Sequence, residues 1–171
     1  MIIDHIMQKS GVAFGTSGAR GLVKDMTDSV CYAYTTGFIK YLESIQDFTK
    51  SDKIMVSGDL RPSSERISKA VIQSIKDNGY EPIYCGNIPT PAVMLYGLQC
   101  NCPSIMITGS HIPDDRNGIK FNKSSGEILK EDEEGIRRQS VNLVENLKIH
   151  PLPKINSSAE EHYRKRYIDL L

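Results

Sequence analysis

Short apolar runs alternate along this chain with longer stretches in which apolar residues recur every three or four positions. Ile54-Met55-Val56, Pro82 to Cys85 and Ile105-Met106-Ile107 each predict a short buried strand. Between them the spacing is helical. Thr27-Asp28 opens a helix with an apolar stripe at Val30, Tyr34, Phe38, Tyr41, Leu42 and Ile45. Pro62-Ser63-Ser64 precedes a second helix, with Ser63 and Ser64 as capping candidates. Its inner side is Ile67, Ala70, Val71 and Ile75, and Asn78-Gly79 stops it. Pro91 fits the first turn of a third helix, reaching about Leu98. Lys123-Ser-Ser-Gly126 reads as a hairpin turn joining Ile119-Phe121 to Glu127-Leu129. Glu131 to Leu147 predicts a last helix, with Ile136, Ser140, Leu143 and Leu147 facing inward and His150-Pro151-Leu152-Pro153 breaking it. Met1 to Val12 carries little signal. The alternation predicts a three-layer α/β/α sandwich with a mixed, mostly parallel sheet and one late antiparallel hairpin strand.

The tail changes the domain picture. Ser158-Ala-Glu-Glu161 is a capping-box pattern, followed by an apolar face at Tyr163, Tyr167, Ile168 and Leu171. Residues 1–150 are expected to form one domain, and residues 151–171 a linker and the start of a truncated second domain.

Composition narrows the class. A chain of 171 residues is long enough to bury about 70% of its unfolded surface. With 21 basic and 21 acidic residues and no basic patch, nucleic acid is not an expected partner. No apolar run approaches the roughly 18 residues of a membrane span and no leader pattern opens the chain, so no membrane partner is expected. Cys31 falls in a helical pattern and Cys85 in a strand pattern, both as core thiols. Cys100-Asn-Cys102 is read as a loop pair, the rival reading being a metal seed without a second pair. A cytoplasmic, reducing setting is expected.

Candidate chemistry gathers in three segments. In Ser104 to Phe121 a strand ends at Thr108-Gly109, and Ser110-His111 follows at once. A hydroxyl just past the carboxyl end of a strand stands where open α/β sheets place ligands. Phe14-Gly15-Thr16-Ser17-Gly18-Ala19-Arg20-Gly21 has three glycines in seven residues. It reads either as a flexible turn with a solvated arginine or as an anion loop in which Arg20 clamps a phosphate. Ser57-Gly58-Asp59-Leu60-Arg61-Pro62-Ser63-Ser64 ends a strand in a charged turn. Arg61 either faces the cleft or pins its own loop to Asp59.

All three segments resemble motifs of the α-D-phosphohexomutase superfamily (phosphomannomutase/phosphoglucomutase), in that family's order and spacing, over roughly residues 13 to 150. Thr108-Gly-Ser110-His111-Ile-Pro113, with Asn117-Gly-Ile-Lys120, resembles the phosphoserine loop Thr-Ala-Ser-His-Asn-Pro…Asn-Gly-Ile-Lys. Gly109 stands for Ala and Ile112 for Asn. Gly15 to Gly21 resembles Gly-Thr-Ser-Gly-x-Arg-Gly. Ser57 to Ser64 resembles Gly-Arg-Asp-x-Arg-Pro-Ser-Ser, with one arginine lacking. Ile88-Pro-Thr-Pro91 matches a family Pro-Thr-Pro and is read as scaffold.

The resemblance implies an N-terminal domain I of an intramolecular phosphotransferase. Such an enzyme moves a phosphoryl group between the 1- and 6-positions of a hexose phosphate through a phosphoserine and a hexose 1,6-bisphosphate. It implies catalytic roles for Ser110, Lys120, His111 and Arg20, with Lys120 or His111 shuttling the sugar hydroxyl's proton. It implies substrate or phosphate binding by Thr16, Ser17, Arg20, Arg61 and Asn117. It implies Mg2+, with phosphorylated Ser110 as one ligand and the others in an Asp-Gly-Asp-x-Asp-Arg loop that this sequence lacks. The missing C-terminal domains are then partners, and the isolated chain is expected to be inactive. The alternatives are a phosphoglucosamine mutase and a nonenzymatic α/β sugar-phosphate-binding module.

Overall fold

A computed structural model describes residues 1–15, 18–48 and 51–171. Its sheet runs in the order β1 (Ala13–Phe14), β2 (Ala19–Leu22), β6 (Arg116–Lys123), β5 (Ser104–Ile107), β3 (Lys53–Gly58), β4 (Glu81–Tyr84), with β7 (Gly126–Glu127) paired to β6. Strand β3 is parallel to both β4 and β5. The other four pairings are antiparallel, so the sheet is mixed as expected but its parallel part is confined to three strands. The hairpin of β6 and β7 turns at residues 124–125, where the sequence predicts it.

Helices cover both faces. Helices α1 (Ile3–Ser10), α2 (Asp28–Ser44), α3 (Pro62–Asp77) and α5 (Lys130–Arg137) share one core with Ile54 and Val56 of β3, Ile105 and Ile107 of β5, and Ile119 and Phe121 of β6. Helices α4 (Thr90–Cys100) and α6 (Ser158–Leu170) share a smaller core with Met55 and Met106 on the other face. Successive strand residues point to opposite faces, and both faces of β3 and β5 are covered, so these strands read as unbroken apolar runs. The larger core is aromatic at its centre. Phe121 lies 4.6 Å from Phe38 and 6.3 Å from Phe14, between ring centroids. The buried Tyr34 hydroxyl donates to the Val12 carbonyl.

Three elements differ from expectation. Residues 3–10 form α1 rather than an unstructured lead-in; Ile3 and Ile6 are buried one turn apart, and Gly11 closes the helix at φ 74°. The last helix of residues 1–150 stops at Arg137 instead of Leu147. The amino terminus is the cause. Ile3 donates to the Gln139 carbonyl and Val141 to the Met1 carbonyl, with a bridge between Ile2 and Ser140. These bonds hold residues 139–141 extended, and Leu143 is left exposed. Ser63 and Ser64 do not cap α3, which begins at Pro62; Ser64 Oγ donates instead to Asp59.

Beyond residue 150 the chain turns back onto the sandwich. Ala159 of α6 is buried against the α4 side and His162 lies beside Tyr96, but Tyr167, Ile168 and Leu170 are exposed. In place of the predicted capping box at Ser158, the Ser157 hydroxyl donates to the Glu161 carboxylate at 2.9 Å.

Candidate active site

Strand β5 ends at Ile107, and the next three residues form a tight bend. Thr108 stays in the ladder, its N–H donating to the Gly118 carbonyl at 3.0 Å. The Ser110 N–H turns back to the Thr108 hydroxyl at 2.9 Å. This places Ser110 at φ 52°, a left-handed conformation that costs a residue with a Cβ about 1 kcal/mol. The side chain is exposed, and Ser110 Oγ lies 3.2 Å from His111 Nδ1. Turns closed by Ile112 N–H to the Gly109 carbonyl and Arg116 N–H to the Pro113 carbonyl complete the loop.

The β3–α3 turn holds this loop from beneath. Asp59 Oδ2 accepts from the Gly109 N–H at 3.0 Å, while Oδ1 accepts from the Arg61 N–H and the Ser64 hydroxyl. Burial opposes the charge on Asp59. The hydrogen bonds from Ser64, Arg61, Gly109 and Thr108 outweigh it and hold the carboxyl below its ordinary range. Arg61 reaches over Gly109 and donates to the carbonyls of Ser110, Ile112, Pro113 and Arg116. Arg61 thus lines the cleft and pairs with Asp59, as the two sequence readings have it, and in addition it pins the serine's loop.

Strand β2 brings in Arg20. Its Cα partner on β6 is Gly118, the residue whose carbonyl holds Thr108. A Cβ at Gly118 would lie 3.0 Å from Arg20 Cγ and 3.0 Å from the Thr108 carbonyl, so the arginine crosses beside the bend. Arg20 thus sits in a strand, not in the glycine-rich loop that precedes it. Thr16 and Ser17 lie outside the described residues. Lys120 follows two residues after Gly118 on the same strand face, opposite the aromatic core. Its Nζ is 3.7 Å from Glu127, beside Gly15 and Gly18.

Asn117, expected to bind phosphate, lies inside the fold. It is wholly buried, its amide donating to Ser63 and Ser64 hydroxyls and its carbonyl oxygen accepting from Gly118 N–H. It braces β6 against α3 and presents nothing to solvent. Asp59 and Thr108, by contrast, were not among the expected site residues. The position of Asp59 two residues before Arg61, just past a strand end, is the signal that would have found it.

Ser110 opens on a cleft of about 1290 Å³ whose rim includes Leu22, Lys24, Asp59, Arg61, Arg66 and Asp114. Among the described residues no group of three or more His, Cys, Asp or Glu side chains could hold a metal ion. Asp114 is fully exposed and lies 3.6 Å from Arg61.

Fold and loop together define a class: an α/β/α domain presenting an exposed serine, in a strained bend, at the carboxyl end of a parallel strand. The chain belongs to the phosphoglucomutase/phosphomannomutase family, whose alpha/beta/alpha domain I model matches residues 11–146. It is 39% identical to a phosphomannomutase of Salmonella muenchen over 96% of this chain and 34% of that protein. It is 44% identical to a phosphomannomutase of Sinorhizobium fredii over 74% of this chain and 27% of that protein. A phosphoglucosamine mutase of Helicobacter acinonychis is 35% identical over 71% of this chain and 27% of its own length. The chain thus spans about a third or less of the curated relatives it matches. A solved phosphoglucomutase/phosphomannomutase family protein of Burkholderia thailandensis shares the fold at a TM-score of 0.60, with 22% identity over 69% of this chain and 27% of its own.

Proposed function

We propose that this chain is the phosphoserine-bearing N-terminal domain of a phosphohexomutase, with Ser110 as the residue that carries the phosphoryl group. The observation that carries the reading is the Ser110 bend: an exposed hydroxyl, held by the Asp59–Arg61 turn, with Arg20 crossing beside it. Membership of the family supports it, and so does the higher identity to the phosphomannomutases than to the phosphoglucosamine mutase.

In the proposed cycle the Ser110 Oγ–P bond breaks as a sugar hydroxyl oxygen of a hexose monophosphate bonds to that phosphorus. The hydroxyl proton passes to Lys120 or His111, and a hexose 1,6-bisphosphate results. After the bisphosphate turns round, the sugar O–P bond of its other phosphoryl group breaks as that phosphorus bonds to Ser110 Oγ, and the freed sugar oxygen takes the proton back. Such transfer depends on positioning and on neutralising charge. Arg20, on the strand beside the bend, supplies positive charge in this proposal, and the fixed loop supplies the positioning. Thr16 and Ser17 complete the phosphate cradle in this proposal. Bound Mg2+ would neutralise phosphoryl charge, with phosphorylated Ser110 as one ligand and the rest from outside these residues.

Residues 1–150 constitute the domain in this reading, and residues 151–171 the connector toward the remaining C-terminal domains. The docking of Ala159 on the α4 side supports a connector that begins on this domain's surface. The setting proposed is the cytoplasm, consistent with four free cysteines. No helix among the described residues is long and apolar enough to cross a membrane. The 171 residues alone are expected to interconvert no hexose phosphates.

Phosphopeptide mass spectrometry tests the assignment. The full-length protein, incubated with glucose 1,6-bisphosphate and Mg2+, should carry phosphate on the peptide containing Ser110, and Ser110→Ala should abolish it. Phosphate absent from Ser110 in the active-site peptide would favour the sugar-phosphate-binding module instead.

A further inference from the structure

We propose that Arg61 is a positioning residue for the nucleophilic loop, seated in a socket that exists because residue 109 has no side chain. The inference rests on the reading of Ser110 as the phosphoryl carrier, and goes beyond it in assigning what fixes that serine.

The geometry is specific. A Cβ on residue 109 would fall 2.1 Å from Arg61 Nε and 2.2 Å from Cζ, far inside van der Waals contact. The guanidinium fills that space and lies against the backbone of Gly109. From there Nη1 donates to Pro113 and Arg116 carbonyls at 2.8 and 3.1 Å. Nη2 donates to Ile112 and Ser110 carbonyls at 2.6 and 3.3 Å. Nε faces Asp59 Oδ2 at 3.5 Å. Arginine has five N–H donors in a rigid fork. Both terminal nitrogens are engaged by loop carbonyls, Nε is ion-paired with Asp59, and only 13% of the side chain is exposed. In this arrangement the two terminal nitrogens of the fork are directed at the loop and away from a phosphate. Arg61 therefore acts on the reaction through Ser110, whose carbonyl it holds, rather than by touching substrate. Asp59 completes the unit, taking Gly109 N–H on the oxygen that faces Nε.

Three substitutions test this: Arg61→Ala, Arg61→Lys and Gly109→Ala, with the double variant Arg61→Ala/Gly109→Ala. Gly109 has no positive φ, so alanine there adds volume without backbone strain. The first readout is amide hydrogen exchange across residues 109–116 in the 171-residue chain. Losing charge-assisted bonds should speed exchange in Arg61→Ala about tenfold or more. Lysine, a point charge with three donors, should restore only part of the protection. Gly109→Ala should resemble Arg61→Ala, and should add little in the Arg61→Ala background, because the two act through one contact. The second readout is full-length turnover with glucose 1-phosphate. Arg61→Ala should lower kcat about tenfold or more with KM little changed, as loss of positioning does.

Unchanged exchange in Arg61→Ala, or equal effects of Gly109→Ala in both backgrounds, would overturn the socket. A KM increase with kcat preserved would overturn the positioning role, assigning Arg61 to substrate phosphate. If wild type shows no phosphate on Ser110, the functional reading fails while the exchange data still decide the socket.

Discussion

Ser110 occupies a backbone conformation that suits glycine better than serine. Strain of this kind persists where surrounding contacts over-determine it, as the bonds to Thr108, Asp59 and Arg61 do here. Ser110→Gly should therefore stabilise the 171-residue chain by about 1 kcal/mol while abolishing phosphoryl uptake. Urea unfolding of the two proteins checks the first half, and phosphopeptide analysis of the full-length pair checks the second. At this scale the sequence was informative about which residue types mattered and silent about their directions. Arg20, Arg61, Ser110, His111 and Lys120 all stand around the serine loop or on the strands that flank it. The burial of Asn117 was not legible because a polar residue beside a glycine signals a turn. Its burial is decided by Ser63 and Ser64, more than fifty residues away in sequence.

The turn between β3 and α3 carries a pH dependence. Asp59 has a folded-state pKa below its unfolded value, so its ionised form contributes stability above about pH 4. That contribution is lost as pH falls through the lower folded value. Wild type should lose stability on acidification below about pH 4, and Asp59→Asn should be less stable at neutral pH with a shallower acid slope. Circular dichroism melts from pH 7 to pH 2 measure both. Asp132 shares the acid response. Burial opposes its charge, but the Leu129 N–H, Lys123 and the Tyr41 hydroxyl keep its carboxyl low. The variant should accordingly flatten the slope without removing it.

Helix α1 owes its stability to packing on α2. Ile3 is fully buried, and it packs so closely on α2 that a Cβ at Gly37 would come within 2.8 Å of its side chain. Ile3→Ala should cost about 2–5 kcal/mol in denaturant unfolding. The helix was legible in principle, since Ile3, Ile6 and Met7 have helical spacing and Gly11 is a natural stop. An eight-residue helix is marginal without packing, and the sequence does not say that α2 lies beneath it. The overlong last helix has the same origin. Leu143 and Leu147 keep a plausible helical period after Ile136, but the competing pairing with residues 1–3 comes from 140 residues upstream.

Across the whole molecule, stability is uneven. The sandwich interior is dense, whereas α6 buries only Ala159 of its thirteen residues. Limited proteolysis of the 171-residue chain should trim the stretch from Arg164 onward first and leave residues 1–150 intact, as expected of a segment with little buried area. Cleavage inside α2 or α3 at the same rate would contradict that order. The layer architecture was readable from alternating periods, because strands buried on both faces and amphipathic helices leave different traces. The direction of β6 was not readable, since an apolar run carries no sign of parallel or antiparallel pairing.

That direction has a consequence for loop length. Because β6 doubles back beside β5, the bond from Thr108 to Gly118 closes the serine segment into a ring tied at both ends. Side chains on β6 alternate between the aromatic interior and the opposite face. Deleting one residue from 109–116 would draw β6 forward by one step and exchange the places of Ile119 and Lys120. Related chains should therefore vary ring residues other than Ser110 and His111, as at Ile112, while keeping the ring's count.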